Sequence, residues 1–557
     1  MISRRYNLIN NIGGWVVFVI ALATYWLTLE PTASYWDCGE FIIQADKLEV
    51  GHPPGNPIFM LTARFFANFA PGQEYVSLMV NAMSGLLSAL TILLLFWTIS
   101  HLVRRLVVSD RSHQGIGASG ASPAGGDLSL IQYLLIMGSA AVGSLAYCWS
   151  DTFWFSAVEG EVYAFSSFCT ALVFWLILKW ENRADDPSSD KYLILIAYII
   201  GVSIAVHLLN LLCIPAIVLV YAYRKYDDMN LVKSLIALLI SFAIVVLVLY
   251  GLAPGFVKVA QVFELYCVNT LGWSFNSGVI VYGIVALLVF GWTIYAISRG
   301  ENRALGNVSF WVSVLLSGVL FFAGGWIGWI LMICLGVFLF TKYGNLLTRR
   351  VMSIIMWSIM VIFVGYSSYA LILIRSTADT PMNQNSPDNV FDLASYLSRE
   401  QYGENPLIYG ETLYSSPMRR LAYMGTDTLF YDDAGRPVTM PVPMYSSQVV
   451  EKGKALYARG VHGATPKSEY NLLTESDIAR NLELSGREGD YYVLKDYKPE
   501  AKMYPELNMV FPRLYSRQHA AAYGEWVSLD TVPGQLVTVS ALTEDGERVN
   551  ELALLRP

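Results

Sequence analysis

The chain has 557 residues, of which 55% are hydrophobic and 15% are charged, against about 25% charged residues in an ordinary soluble domain. With a mean hydropathy of +0.45 and a net charge of −7, this composition excludes a disordered chain and a disulfide scaffold. It also argues against a soluble enzyme and gives no sign of nucleic-acid binding. Charged residues number 38 among residues 1–374 and 43 among the 183 residues 375–557. The sequence therefore predicts a transmembrane domain at 1–374 and a water-soluble domain at 375–557.

Eleven apolar runs in the first domain resemble membrane spans, which need ~20 mostly apolar residues. They lie near residues 12–29, 77–100, 131–149, 158–178, 192–206, 208–223, 231–252, 277–297, 308–323, 326–341 and 351–374. The fifth and sixth runs, and the ninth and tenth, are short neighbours, so a count of nine stays open. The predicted fold is a polytopic α-helical membrane protein with about eleven spans.

The basic residues predict the orientation of these spans. With the N-terminus in the cytoplasm, 16 of the 19 basic residues before position 375 fall on the cytoplasmic side. The first apolar run is longer than the core of a signal peptide, so we expect an uncleaved first helix. An odd number of spans places residues 375–557 outside the cytoplasm, on the periplasmic side of a bacterial inner membrane.

The sequence pattern of residues 375–557 predicts a mixed α+β fold for the water-soluble domain. A helix-like stretch covers 388–401, and strand-like runs follow as PLIYG, YYVLKDY and WVSLDTV. Residues 113–127 form a loop rich in Gly, Ser and Ala, which is typical of a flexible connection. The six cysteines all precede residue 375, and none is spaced as a metal or redox pair.

The first outer loop, residues 30–76, carries the densest set of chemically useful side chains. Asp37, Glu40 and His52 lie in it, followed by a Pro-Pro-Gly turn and a half-apolar stretch that predicts a helix along the membrane surface. Trp36 and Phe41 should surround the two acids with apolar groups. Carboxylates at a membrane boundary are expensive and tend to be functional. The alternative is a solvated acidic loop.

Five motifs add a resemblance to a known family. They are WDCGEF at 36–41, GHPPG at 51–55, AVEGEVY at 157–163, GVSIAVHLLN at 201–210 and SREQYG at 398–403. Together they resemble the bacterial protein O-mannosyltransferase-like family, whose relatives include the animal plexin O-mannosyltransferase. The resemblance implies the GT-C fold and a polyprenyl-phosphate sugar as donor. It further implies transfer of the sugar, with mannose expected, to Ser or Thr of exported proteins.

The chemistry of such a transfer assigns roles to the candidate residues. A Ser or Thr hydroxyl is a poor nucleophile, so a carboxylate must accept its proton as it attacks the anomeric carbon. The resemblance implies Asp37 for this base, with Glu40 as the second acid of the motif. The departing lipid phosphate needs positive charge. Arg375, at the end of the last span, is the first candidate, followed by Arg64 on the surface helix and Lys258 in the outer loop after the seventh span. Single displacement would invert the anomeric configuration.

Further residues are candidates for substrate binding, together with His52. Glu159 and Glu161 open the fourth span, where the helix dipole alone would favour acids by ~0.3–1 kcal/mol. Because residues two apart do not share a helix face, one of them should turn inward, and the resemblance favours Glu161. His207 lies at the break between the fifth and sixth runs. Asn210, three residues later, should share its helix face and bind hydroxyls, although a structural role for His207 is equally open.

No metal site and no cofactor are predicted, because the remaining histidines (His101, His113, His462 and His519) form no cluster in the sequence. Three other functions stay open. Within the same class, the acceptor could be a lipid or a glycan. The second alternative is a transporter or flippase. Such a protein should carry ionisable residues at the bilayer midplane, whereas the ionisable residues of this sequence cluster on one side of the membrane. The third is a non-catalytic membrane scaffold.

Overall fold

The computed structural model describes residues 4–113, 128–300, 302–321, 325–341, 344 and 347–402, together with six strands in the C-terminal part. The chain divides into two compact units. The first comprises Met1–Phe263 and Gly278–Ser398, and the second comprises Glu264–Ser277 and Arg399–Pro557. The first unit therefore continues beyond residue 374, where the sequence predicts the start of the water-soluble domain.

Seventeen α-helices occur in the described part of the chain. They are α1 (Arg4–Leu27), α2 (Cys38–Lys47), α3 (Pro57–Ala67), α4 (Val76–His113), α5 (Leu130–Cys148), α6 (Asp151–Ala157), α7 (Val162–Glu181), α8 (Asp190–Ile204), α9 (Ile214–Lys225), α10 (Leu231–Val246), α11 (Ala253–Leu265), α12 (Ser277–Arg299), α13 (Arg303–Ser317), α14 (Gly325–Phe340), α15 (Arg349–Tyr366), α16 (Ala370–Thr377) and α17 (Val390–Leu397). Short 3₁₀ or π-helical turns connect several of them.

Among the described residues, nine helical segments are long and apolar enough to cross a membrane. They are Arg4–Leu27, Gln73–Val107, Leu130–Cys148, Val162–Glu181, Pro187–Ile204, Leu208–Lys225, Leu231–Thr270, Ser277–Arg299 and Arg349–Thr377. The chain is thus a polytopic helical membrane protein. The ninth and tenth predicted runs correspond to α13 and α14, which have only 15 and 16 residues. The count of eleven spans stays a prediction.

The segment after the seventh predicted span differs from the expectation. Instead of entering a loop, the helix continues from Leu231 to Thr270. Pro254 lies within it, two residues after a π-helical turn at Leu247–Leu252. Proline removes one helical hydrogen bond, and a π-turn is a common way for a helix to absorb such an irregularity. Lys258 consequently lies on a helix, and its expected position in a loop is wrong.

Helix packing in the first unit is close. Helix α4 packs against α1, α5 and α7, and α8 packs along α15. At the α8–α15 crossing, a Cβ atom on Gly201 would lie 2.8 Å from the Cα of Ile362, and one on Gly365 would lie 2.6 Å from the carbonyl carbon of Gly201. The two glycines therefore allow backbone contact between these helices.

The described residues of the second unit form three antiparallel strand pairs. Strand β1 (Tyr409–Glu411) pairs with β4 (Asn508–Val510), β2 (Val442–Val450) with β3 (Gly489–Lys498), and β5 (Leu536–Leu542) with β6 (Arg548–Leu554). The strand-like run YYVLKDY lies within β3, and Tyr409 and Gly410 of PLIYG begin β1. The run WVSLDTV and the loop at 114–127 lie outside the described residues. The helix-like stretch at 388–401 contains α17, which belongs to the first unit.

Within the second unit, β3 is attached to the segment that precedes α12. The Nδ2 of Asn269 donates to the carbonyl of Tyr492 (2.8 Å), and the amide of Tyr492 donates to Oδ1 of Asn269 (2.8 Å). The hydroxyl of Tyr492, which is buried, donates to Oε1 of Glu264 at 2.9 Å. These three bonds hold the strand against the segment Glu264–Ser277, which belongs to the same unit.

Candidate active site

Asp37 stands at the start of α2 as its N-cap residue. Its side chain makes no capping hydrogen bond and is 59% exposed. Trp36 has a left-handed backbone and is 88% exposed. The expectation that Trp36 encloses Asp37 in apolar groups is therefore wrong, whereas Phe41 is buried, as expected. The carboxylate of Asp37 remains accessible to a substrate.

Glu40 is held on the next turn by three donors. Its Oε1 accepts from the backbone N–H of His52 (2.7 Å) and from Nε2 of Gln44 (3.0 Å), and it lies 3.0 Å from Nδ1 of His52. Burial by itself raises the pKa of Glu40, but the hydrogen bonds from His52 and Gln44 outweigh it and leave the pKa below its ordinary value of 4.5. Glu40 is thus an ionised group that fixes His52.

His52 lies between the two acids. When its Nδ1 carries the proton and donates to Glu40, its Nε2 faces Asp37, with 4.0 Å between Nε2 and Oδ2. The ring of His52 also packs on Phe41, with centroids 5.7 Å apart, and Phe41 packs on Phe59 of α3. The apolar contacts and the Glu40 bond together fix the orientation of the imidazole.

Two buried tyrosines far along the chain secure the turn that carries His52. The hydroxyl of Tyr396 donates to the carbonyl of Gly51 at 2.7 Å, and that of Tyr369 donates to the carbonyl of Ile204 at 3.1 Å and lies 3.4 Å from the carbonyl of Gly55. Gly55 has φ +75°, and a Cβ atom there would lie 2.7 Å from the Tyr396 hydroxyl. The sequence did not point to either tyrosine. The one available signal is the SREQYG motif, which begins two residues after Tyr396.

Glu159 and Glu161 lie in the turn before α7 and are both buried, at 4% and 5% exposure. The sequence predicts that one of them, with Glu161 favoured, turns inward. Glu161 does, but Glu159 is buried as well, because both residues precede the helix and the helix-face argument does not apply. Burial raises the pKa of Glu161 to about 7, and the negative charges of Glu159 and Asp37 add to this while His52 opposes it. Burial likewise raises the pKa of Glu159, against a hydrogen bond from Ser34. Glu161 is therefore electrostatically coupled to Asp37 and His52.

The side chains of His207 and Asn210 lie in different surroundings. His207 is the N-cap of the 3₁₀ segment Leu208–Cys213, where its backbone is extended and its Nδ1 accepts from the N–H of Leu209 (3.2 Å). Asn210 is buried, and its Oδ1 accepts from Thr170 (3.3 Å) and Cys213 (3.2 Å). The expectation of a shared helix face is wrong, because His207 precedes the helical turn.

His207 nevertheless lies near the acids. Its ring packs on Tyr163, with 5.5 Å between the centroids. Tyr163 follows Glu161 by two residues and interacts electrostatically with both Glu161 and Asp37. The break in the helix at 205–207 thus brings His207 toward the same group of side chains, whereas Asn210 lies among the helices.

Two of the three phosphate candidates contact the opposite end of α2. Arg375 donates from Nε to the carbonyl of Leu48 (2.6 Å) and from an Nη to that of Lys47 (3.2 Å). Arg64 pairs with the carboxylate of Asp46 (3.1 Å). Asp37 lies at the other end of this ten-residue helix, which rises by ~1.5 Å per residue. The structure does not bring these two cations into contact with the acids, and Lys258 lies on α11.

Asp37, Glu40 and His52 form a set of metal-type ligands in the described part of the chain, with one ligand atom from each residue within 4.8 Å of the others. Nδ1 of His52 is engaged by Glu40, so a cation here would have Nε2 of His52 and the Asp37 carboxylate available. The sequence did not indicate this set, because Asp37 and His52 are separated by the whole of α2 and match no known ligand spacing.

Comparisons with known proteins support an O-mannosyltransferase-like family. Residues 37–230 match the family model "Protein O-mannosyl-transferase TMEM260 N-terminal domain". The chain is similar to the mouse "Protein O-mannosyl-transferase TMEM260", with 26% identity over 224 residues, or 40% of this chain and 27% of the relative. A Dictyostelium discoideum protein named "Protein O-mannosyl-transferase tmem260" is 21% identical over 217 residues, or 37% and 22%. The chain thus covers about a quarter of the length of these relatives. No solved structure matches.

Proposed function

We propose that this membrane protein is a glycosyltransferase of the protein O-mannosyltransferase type. It moves a sugar, expected to be mannose, from a polyprenyl-phosphate donor to Ser or Thr hydroxyls of exported proteins. The observation that carries the proposal is the accessible Asp37 carboxylate beside an imidazole fixed by Glu40. The region that matches the O-mannosyltransferase family model begins at Asp37 and includes both partners.

Asp37 is the proposed catalytic base. It accepts the proton of the acceptor hydroxyl while the hydroxyl oxygen bonds to the anomeric carbon. The bond between this carbon and the phosphate oxygen breaks, and its electron pair leaves with the lipid phosphate. One displacement of this kind inverts the anomeric configuration. Glu40, the second acid of the motif, is proposed to position His52 next to Asp37, because its Oε1 already accepts from three donors.

Glu161 is the proposed donor-binding acid. With a pKa of about 7, much of its population is protonated near neutral pH. A neutral carboxyl group donates a hydrogen bond to a sugar hydroxyl or to a phosphate oxygen without repelling the phosphate. Glu159 and His207 complete the polar side of this site, and Asn210 supports the helix break from within the bundle.

The phosphate is proposed to be neutralised by a cation, with Arg375 first and Arg64 and Lys258 as alternatives. Arg375 uses its Nε and one terminal nitrogen on the carbonyls at the end of α2. A guanidinium has five N–H donors, so donors remain for an anion. The proposed orientation places the N-terminus in the cytoplasm and this site on the periplasmic side of a bacterial inner membrane.

The test is a transfer assay with the purified full chain, a polyprenyl-phosphate mannose labelled in the sugar, and a Ser/Thr peptide. Label on the peptide hydroxyl, lost in Asp37→Asn and retained in Glu74→Gln, supports the proposal. Glu74 is the matched control because it is an exposed acid of the same loop. Label on a lipid or glycan alone would assign the protein to the alternative acceptor class. Absence of transfer in a folded, donor-binding protein would contradict the enzyme assignment.

A further inference from the structure

A second polar site lies at the opposite end of α7 from Glu161. A cavity of about 120 Å³ opens there between α1, α4 and α7. We call it the basic cleft and define it by Asn10 of α1, by Trp97, His101 and Arg104 of α4, and by Trp175 and Lys179 of α7. All six residues belong to the first unit. The charge bias of the sequence places this end of the bundle on the cytoplasmic side.

The cations of the basic cleft are supported by aromatic rings. The Cζ of Arg104 lies 5.0 Å from the ring centroid of Tyr6, and the Nζ of Lys179 lies 4.6 Å from that of Trp175. Within the parts of the chain that the structure describes, neither cation has a carboxylate at ion-pair distance. The neighbouring Arg105, by contrast, pairs with Glu181. Two positive charges are therefore directed to the cleft without an internal counter-ion.

The walls of the cleft are closely packed. The rings of Trp97 and Trp175 lie 5.8 Å apart, and Nε1 of Trp97 donates to the backbone carbonyl of Asn10 at 3.3 Å. A Cβ atom on Gly14 would lie 2.5 Å from this Nε1. Glycine at that position allows the indole to lie directly against α1, so the wall depends on this residue.

Two polar atoms at the cleft lack partners. Oδ1 of Asn10 and Nε2 of His101 are buried, and no hydrogen bond reaches either of them among the described residues. Nearly all buried polar atoms in folded proteins are hydrogen-bonded. A phosphodiester without hydroxyls offers only acceptors, and it would satisfy the cations but not the Asn10 oxygen. The cleft thus suits a ligand with a negative charge and hydroxyl donors.

The size and position of the cleft define the ligand further. Pockets for drug-sized molecules measure about 300–1,000 Å³, so 120 Å³ holds only a head group or a comparable fragment. Lys, Arg and Trp side chains are enriched at the membrane–water interface, and basic pockets between membrane helices bind anionic lipid head groups. Ammonium head groups would be repelled by Arg104 and Lys179.

We propose that the basic cleft binds the head group of an anionic phospholipid that carries free hydroxyls, of which phosphatidylglycerol is the simplest. Arg104 and Lys179 bind the phosphodiester. The glycerol hydroxyls donate to Oδ1 of Asn10 and Nε2 of His101. The site is separate from the Asp37 site and does not depend on the proposed transfer reaction.

The test measures lipid binding to the purified, delipidated full chain by native mass spectrometry. Phosphatidylglycerol should bind to the wild type, and the double variant Arg104→Gln/Lys179→Gln should lose affinity by about tenfold or more, since each basic residue near a lipid surface contributes about 1 kcal/mol. The charge-preserving pair Arg104→Lys/Lys179→Arg should retain binding. The matched control is Lys191→Gln/Arg299→Gln, which removes two cations that also stack on aromatic rings but do not line the cleft.

A second comparison tests the hydroxyls. Asn10→Ala should weaken the binding of phosphatidylglycerol but not that of phosphatidylmethanol, a phosphodiester that lacks the glycerol hydroxyls. An equal loss of lipid affinity in Arg104→Gln/Lys179→Gln and in the control Lys191→Gln/Arg299→Gln would overturn the proposal, because binding would then follow net charge alone. Displacement of the lipid by millimolar inorganic phosphate or glycerol phosphate would also overturn it and assign the cleft to a free phosphate compound.

Discussion

Helix α7 connects two sites of opposite charge. Its N-terminal end begins at Glu161, next to Asp37 and His52, and its C-terminal end carries Trp175 and Lys179 in the basic cleft. Trp175 and Lys179 follow Glu161 by 14 and 18 residues, or about 21 and 27 Å along the helix, which is close to the ~30 Å thickness of the hydrocarbon core of a bilayer. At one end, Glu40 bonds to His52 while Asp37 stays accessible, whereas the cations at the other end rest on aromatic rings. The first arrangement suits proton transfer, and the second suits an anion that arrives from outside.

Arg375→Ala tests whether the acid end also holds the donor phosphate. We expect the KM for the lipid donor to rise by about 10–100-fold, the equivalent of one charged hydrogen bond of ~1.5–3 kcal/mol. Arg375→Lys should restore part of this, because lysine keeps the charge but not the guanidinium fork. A lower unfolding temperature with an unchanged donor KM would contradict phosphate binding by Arg375. Its role would then be only to hold the end of α2.

Glu161→Gln tests the electrostatics of the acid end through pH. The folded-state pKa of about 7 lies above the ordinary 4.5, so the folded state holds the extra proton between these values. Stability from this group is lost as pH rises from 4.5 through 7. Thermal unfolding should be measured from pH 5 to pH 9. Over this range the free energy of unfolding of the variant should rise relative to that of the wild type, by on the order of 2 kcal/mol. A constant difference across this range would contradict the buried, protonated Glu161.

Tyr396→Phe tests how the turn at Gly51 is secured. Loss of the hydroxyl removes its bond to the Gly51 carbonyl, and we expect a loss of ~0.5–1.5 kcal/mol in stability with a modest decrease in turnover. Tyr402→Phe is the control, because that ring is 48% exposed. Equal effects in chemical denaturation would show that the Tyr396 bond contributes nothing specific to the site.

Metal removal should have the smallest effect. His52 and Glu40 bond to each other at 3.0 Å rather than both facing a common ion. A chelator should therefore leave transfer unchanged. Loss of activity with EDTA and its recovery with one divalent cation would replace the base mechanism by a metal-assisted one at Asp37 and His52.

The parts of this site that lie close in sequence were predictable. Asp37, Glu40 and His52 share one loop, and its polarity beside apolar runs identifies them. The contacts that span the fold were not predictable, because they depend on packing between distant helices. Tyr396 meets Gly51 across 345 residues, and Arg375 reaches the end of α2 rather than the acids. Trp97 and Lys179 belong to no motif in the sequence, and their convergence in the basic cleft is visible only in the structure.

The most direct test of the central claim compares turnover in Asp37→Asn and Glu40→Gln at saturating donor. A general base contributes about 10²–10⁴-fold, so Asp37→Asn should lose that much while it still binds donor. Glu40→Gln should lose less, and the basic cleft pair Arg104→Gln/Lys179→Gln should keep its rate. Near wild-type transfer by Asp37→Asn with an inactive Glu40→Gln would show that the base is misassigned, and full activity in both would contradict a catalytic role for this loop.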